Sequence, residues 1–262
     1  MNISVAPPSG LQPRELHTPR LVNVLHSPKR VRVIFNGETI VDSRNVLVLR
    51  SNQFLPVYYF PRSDIRLEHL VPSEHRSHYE LGGEAVYWNL KVYGKRAADA
   101  AWSFHRPIDP ALAPLTGYIA FAWNAVDRWL EEDEEVFVHA RDPYARIDTL
   151  ASASHLQIRL DGDLVADSKR SVFVFETHLP TRYYIPREDI RLDRLIPSDT
   201  QTRCPYKGIA SYWSAKLKGG ILRRDVAWEY RDPIAEVAKI KGLIAFYPDG
   251  VDDIHVDGNR IV

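Results

Sequence analysis

The stretch Tyr58-Tyr59-Phe60-Pro61-Arg62 returns 125 positions later as Tyr183-Tyr184-Ile185-Pro186-Arg187. The same offset carries Asn36-Gly37 onto Asp161-Gly162 and Asp42-Ser43 onto Asp167-Ser168. It carries Asp64-Ile65-Arg66-Leu67 onto Asp189-Ile190-Arg191-Leu192, Pro72-Ser73 onto Pro197-Ser198, and Tyr87-Trp88 onto Tyr212-Trp213. After a one-residue slip, Ala101-Trp102 answers Ala227-Trp228, and Gly117 with Ile119-Ala120-Phe121 returns to register with Gly242 and Ile244-Ala245-Phe246. Agreement at a fixed period over so many uncommon residue types marks a duplicated structural unit. The chain therefore reads as a flexible arm at 1–17, a first domain at 18–142 and a second domain at 143–262.

Each unit carries the same pattern of short strands. Val31 to Phe35, Asn36-Gly37 and Thr39 to Asp42 read as a β-hairpin with a tight turn; Leu156 to Leu160, Asp161-Gly162 and Asp163 to Asp167 repeat it. Val46 to Leu49 and Val172 to Glu176 supply a third strand, and the Tyr-Tyr strand follows. Ser63-Asp64 and Glu188-Asp189, just after a proline, open short helical turns. Ala85 to Val92, Ala98 to Phe104 and Tyr118 to Trp123, matched by Ile209 to Leu217, Leu222 to Tyr230 and Leu243 to Tyr247, complete the strands. Ala111 to Leu115 and Ile234 to Ala238 read as single helical turns. The expected fold class is all-β, mostly antiparallel, with a few helical turns.

Composition agrees and narrows the function classes. Eighteen prolines, thirteen glycines and thirteen tyrosines among the 262 residues punctuate many short runs, which favours strands over sustained helices. With 34 Lys+Arg against 34 Asp+Glu, the chain has no overall field to attract nucleic acid or an anionic membrane, so neither is expected as a partner. The single cysteine, Cys204, excludes an internal disulfide and a Cys-rich zinc site, and fits a cytoplasmic location. Met1 to Arg20 contains Pro7, Pro8, Ser9, Gly10 and Pro13 without the apolar block of a secretory signal. His69, His75 and His78 read as a surface loop with scattered histidines, so no metal and no cofactor is expected.

A group of motifs carries a resemblance. Asp161-Gly162 with Ala166-Asp167-Ser168 opens it, and Pro180-Thr181-Arg182-Tyr183-Tyr184-Ile185-Pro186 with Asp189 continues it. Thr202-Arg203-Cys204-Pro205-Tyr206-Lys207-Gly208-Ile209-Ala210-Ser211-Tyr212 and Ala227-Trp228-Glu229-Tyr230 with Pro233 complete it. In this order they resemble the domain-of-unknown-function family 427, sometimes labelled nucleotidyltransferase-like. The resemblance covers nearly all of the second unit and, more weakly, the first, and it implies two tandem β-tent domains. The nucleotidyltransferase label finds no support in the residues: there is no Gly-Ser followed by spaced metal-binding aspartates and no phosphate-cradling glycine loop before a helix.

The two copies differ where side chains carry chemistry. Opposite Cys204-Pro205-Tyr206-Lys207-Gly208 stand Tyr79-Glu80-Leu81-Gly82-Gly83, and opposite Trp228-Glu229-Tyr230 stand Trp102-Ser103-Phe104. Framework residues persist while a thiol, an amine and a phenol are confined to the second copy. Tyr59, Trp88 and Trp102 recur in the first copy, so Tyr184, Trp213 and Trp228 are expected in the core. Within each of Tyr183-Tyr184, Tyr212-Trp213 and Trp228-Glu229, strand alternation sends the two side chains to opposite faces.

These readings lead to one principal expectation and two alternatives. The principal one is a small polar or aromatic ligand bound in a cleft of the second domain by Arg182, Tyr183, Cys204, Lys207, Tyr212 and Tyr230, with Glu176 at its rim. The first alternative is an enzyme that uses Cys204 as a nucleophile or redox thiol, with Lys207 lowering its pKa. The second is a non-catalytic interaction scaffold, with a homodimer through sheet edges as one form of it.

Overall fold

The computed structural model describes residues 21–52 and 54–262; the arm expected at 1–17 lies outside them. The chain divides into two compact units, one ending at Pro143 and the other beginning its described part at Tyr144. Both are built from antiparallel strands joined by short 3-10 turns, so the all-β expectation holds. No helix among the described residues is long and apolar enough to cross a membrane.

The first unit contains the hairpin Val31–Phe35 and Glu38–Ser43. Asn36 and Gly37 both take positive φ, 51° and 77°, which is the geometry that lets a two-residue turn follow the right-handed twist of its strands. This hairpin forms a four-stranded sheet with Arg128–Glu131 and Glu134–Val136. The acidic run Glu131 to Glu135 is therefore itself a hairpin; Glu131 is buried, ion-paired with Lys29 and bonded by the Tyr58 hydroxyl at 2.6 Å.

The larger sheet of the first unit has seven strands in the order Val22–Ser27, Val46–Ser51, Val57–Pro61, Tyr118–Phe121, Lys95–Phe104, Gly83–Val92, Leu70–Tyr79. Apolar side chains cover both of its faces. One face shares a cluster with the small sheet, including Val33, Phe35, Tyr58, Phe60 and Trp129. The other face buries Leu49, Tyr59, Phe104, Leu112 and Leu115, the last two from the 3-10 turn Pro110–Leu115.

The second unit repeats this plan. Leu156–Leu160 and Asp163–Ser168 form the hairpin, with Asp161 and Gly162 at φ 54° and 77°. They pair onward to Asp253–Val256 and Asn259–Arg260. The counterpart of the seven-stranded sheet consists of Ile147–Ser152, Ser171–Glu176 and Arg182–Tyr184 on one side and Leu195–Cys204, Gly208–Lys216, Leu222–Tyr230 and Ile244–Phe246 on the other. The bridge between Ile185 and Ile244 joins the two parts where Phe60 pairs with Ile119 in the first unit.

The repeated Asp-Ser pair also has the same role twice. Ser43 Oγ donates to Asp64 at 2.7 Å and accepts from the Asn45 backbone N–H; Ser168 Oγ donates to Asp189 at 2.7 Å and accepts from the Arg170 N–H. Each serine thus ties the third strand's entry to the turn after the Tyr-Tyr strand.

Several strands depart from the sequence reading, among them Arg128–Glu131, Glu134–Val136, Asp253–Val256 and Asn259–Arg260, which it did not include. The histidine-bearing segment expected as a loop is the ten-residue strand Leu70–Tyr79, with its counterpart Leu195–Cys204. Both are edge strands, interrupted by a register shift between Pro72 and Arg76 and between Pro197 and Gln201, and mostly exposed on both faces. Such a strand has no apolar alternation to reveal it. The strands Val22–Ser27 and Ile147–Ser152, also at sheet edges, were not legible either.

Candidate functional site

In the second domain the Tyr-Tyr pair splits as alternation requires. Tyr184 is fully buried on one face of the sheet with Tyr212, Trp228, Tyr230 and Ala210, while Tyr183 turns to the other, beside Ile185, Phe246 and Ile254. Tyr183 meets the Phe173 ring edge-on at 4.8 Å. Trp213 joins the Tyr183 side and Trp228 the Tyr184 side, and all three expected core residues, Tyr184, Trp213 and Trp228, are buried.

The Tyr184 face forms an aromatic cluster bound by its own polar groups. The Trp228 indole N–H donates to the Tyr184 hydroxyl at 3.0 Å, and the rings meet edge-on at 6.1 Å. Tyr212 exchanges a hydrogen bond with Thr202 Oγ1 at 2.9 Å and approaches the Tyr247 hydroxyl at 3.4 Å, its ring nearly parallel to that of Tyr247. Arg182, two residues from Tyr184 on the same strand face, places its guanidinium 5.7 Å from the Trp228 ring centre. Burial pushes the Tyr184, Tyr230 and Tyr247 phenols well above the usual range, because the charged form would lose its hydration.

Cys204 packs half-buried against this cluster at the end of Leu195–Cys204. The turn that follows fixes Lys207. Cys204 pairs with Gly208 across the hairpin, the Cys204 carbonyl accepts from the Lys207 N–H at 3.3 Å, and the Lys207 carbonyl accepts from Ile234 N–H at 3.2 Å. Gly208 sits at φ +101°, and a Cβ there would stand 3.3 Å from the Asp232 carbonyl, so only glycine fits the turn against that backbone. The Lys207 side chain runs inward and forms an ion pair with Glu176, at the end of Ser171–Glu176; the two side chains are 10% and 13% exposed. Lys207 is thus a buried cation with a carboxylate partner rather than a solvated surface lysine.

Of the six residues singled out in the sequence, the fold groups Arg182, Cys204, Tyr212 and Tyr230 around one aromatic cluster, with the Lys207–Glu176 pair at the turn beside Cys204. Tyr183 stands apart on the opposite face; with Arg182, Pro180, Phe246 and Val262 it lines a shallow groove that Cys204, Lys207, Tyr212 and Tyr230 do not reach. Tyr247 was missed. Its signal was present in the repeat, since the first copy has Ala122 in its place. Among the described residues no group of three or more His, Cys, Asp and Glu is arranged to hold a metal ion.

The first domain fills the space at the equivalent turn chiefly with apolar side chains. Gly82 stands where Lys207 does and Ser51 where Glu176 does, while Val57 replaces Arg182 and Phe104 replaces Tyr230. The Phe104 ring lies against Gly82 so closely that a Cβ there would overlap it. Tyr59, Leu49, Ala85, Leu112 and Leu115 close the cluster around it.

Two regions of the chain, residues 23–132 and 148–257, match the model of one family, described as Domain of unknown function (DUF427). No curated protein matches the chain. The two matched regions coincide with the two sets of repeated strands, and each set builds the antiparallel sheets described above. The chain belongs to the domain-of-unknown-function family 427, as a tandem duplication of its all-β domain.

Proposed function

We propose that the second domain binds a small polar or aromatic ligand at the edge of the Tyr184–Trp228 cluster, where Arg182, Cys204 and the Lys207–Glu176 pair meet it. The observation that carries this reading is the contrast between the copies. The equivalent positions carry Gly82, Ser51, Val57 and Phe104 in the first domain, and an ion pair, a guanidinium and a phenol in the second. A buried ion pair contributes little net stability over well-packed hydrocarbon of similar volume. The first domain is itself an instance of the apolar solution, so folding does not require the polar one. Aromatic faces with a few fixed polar groups suit a planar ligand that also offers hydrogen-bonding or charged groups.

The test is a thermal-shift screen of a metabolite panel on the full chain, followed by calorimetry of the hits. The comparison protein is Lys207→Met/Glu176→Leu, which removes both charges together and leaves neither unpaired. Hits bound by the parent and lost by the folded double variant support the reading. A panel without hits, or hits that bind both proteins equally, refutes it. Turnover of a hit that disappears in Cys204→Ser would move the assignment to the enzyme alternative, with Cys204 as nucleophile.

A further inference from the structure

Behind the aromatic cluster, on the other face of Leu222–Tyr230, lies a second arrangement that the ligand reading above does not use. Glu229 alternates with Trp228 and Tyr230 and points away from them; it is 1% exposed. Its two carboxylate oxygens are taken by different arginines: Arg187 Nη1 donates to Oε2 at 2.6 Å, and Arg231 Nε donates to Oε1 at 2.9 Å. The Arg187 guanidinium carbon lies 5.0 Å from the centre of the buried Trp213 ring.

We propose that Arg187 and Arg231, held by Glu229, form a binding site for the phosphate group of a small molecule. Three physical points carry it. First, two guanidinium groups share one carboxylate, so the cluster stays cationic after internal pairing. Second, each guanidinium has five N–H donors, and the bonds to Glu229 engage only one side of each. The Arg187 and Arg231 side chains are 38% and 64% exposed, so the remaining donors are open to the surface on either side of the shared carboxylate. Third, the arginines are partly positioned before any ligand arrives. Glu229 holds one N–H of each guanidinium and Trp213 supports the face of one, which removes part of the entropy that mobile arginines lose on binding. Two planar forks that converge from different chain segments match a tetrahedral oxyanion with several acceptor oxygens better than a planar carboxylate.

The first domain again supplies the internal comparison. Arg62 keeps the place of Arg187, with its guanidinium 5.7 Å from the Trp88 ring centre. However, Ser103 stands in place of Glu229 and His105 in place of Arg231. The arginine-on-tryptophan contact therefore belongs to the scaffold, while the buried acid and second arginine are additions confined to the second copy.

The test is calorimetric titration of the full chain with inorganic phosphate and with phenyl phosphate, at constant ionic strength set with chloride. Arg231→Gln removes an exposed fork while Glu229 keeps its bond from Arg187, and a denaturant midpoint checks that the variant is folded; Arg146→Gln removes an equal charge from an exposed position elsewhere in the domain. We expect saturable binding that weakens about tenfold or more in Arg231→Gln and is unchanged in Arg146→Gln. Tighter binding of phenyl phosphate than of phosphate would assign the site to phosphate esters, and the reverse order to the free ion. The proposal is overturned if neither phosphate binds better than chloride, if acetate binds more tightly than both, or if Arg231→Gln binds like the parent.

Discussion

The ring of Phe104 occupies the space that any side chain at position 82 would need, whereas at the equivalent turn of the second domain Lys207 reaches Glu176. The duplicated scaffold thus accepts two mutually exclusive fillings of one space. Phe104 excludes a lysine at position 82, and the lysine in the second domain is accompanied by Tyr230 in place of the phenylalanine.

Gly82→Ala should therefore destabilise the first domain by overpacking, at about 1–3 kcal/mol. Phe104→Leu should lose packing on its own, but the two changes together should cost less than their sum, because the smaller side chain relieves the overlap. A double-mutant cycle by urea unfolding measures this. Strict additivity would show that Gly82 and Phe104 are not in contact.

Lys207→Met strands the Glu176 carboxylate in a site that is nearly closed to water, with an expected loss of about 3 kcal/mol, the lower end for a broken buried pair. Adding Glu176→Leu should recover most of that loss. Denaturant midpoints of the three proteins decide the matter, and a double variant as unstable as Lys207→Met would mean that the pair itself supports the fold.

Asp189 accepts hydrogen bonds from the Arg170 guanidinium and from Ser168, and chiefly the arginine holds its carboxyl below the usual carboxylate range. A folded-state pKa below the unfolded value gives stability that is full above the unfolded pKa, about 3.9, and is lost as the pH falls through the folded pKa. Unfolding midpoints of the parent should drop along this acid limb. Asp189→Asn should be less stable at neutral pH and show a shallower acid limb, and parallel curves for the two proteins would remove Asp189 from the acid response.

At alkaline pH the sign reverses. Burial pushes the Tyr87 phenol up to about 12 and those of Tyr59, Tyr184, Tyr230 and Tyr247 upward as well. Phenols whose folded pKa exceeds the unfolded value, about 10, stabilise the fold below that value and cease to do so as the pH rises through the folded pKa. Ultraviolet titration should show a set of tyrosines silent at about pH 11 that ionise together with loss of the circular dichroism signal. Smooth ionisation of all thirteen before unfolding would contradict the burial of these rings.

The sequence by itself determined the duplication, the hairpin turns and the division of faces. Asn36-Gly37 and Asp161-Gly162 demand positive φ, and Tyr183-Tyr184 cannot share a face, so these features follow from local chain geometry. The edge strands Leu70–Tyr79 and Leu195–Cys204 escaped because their side chains face water on both sides and carry no periodic signal. Only the tertiary structure decided which charges meet. Lys207 and Glu176 lie 31 positions apart, and Arg187 and Glu229 lie 42 apart. Whether such residues pair, and whether they do so out of water, depends on how distant strands align, which no local pattern encodes. Tyr247 differs from Ala122 of the first copy, so the repeat marked the position, but its place beside Tyr212 and Trp228 is set by strand packing.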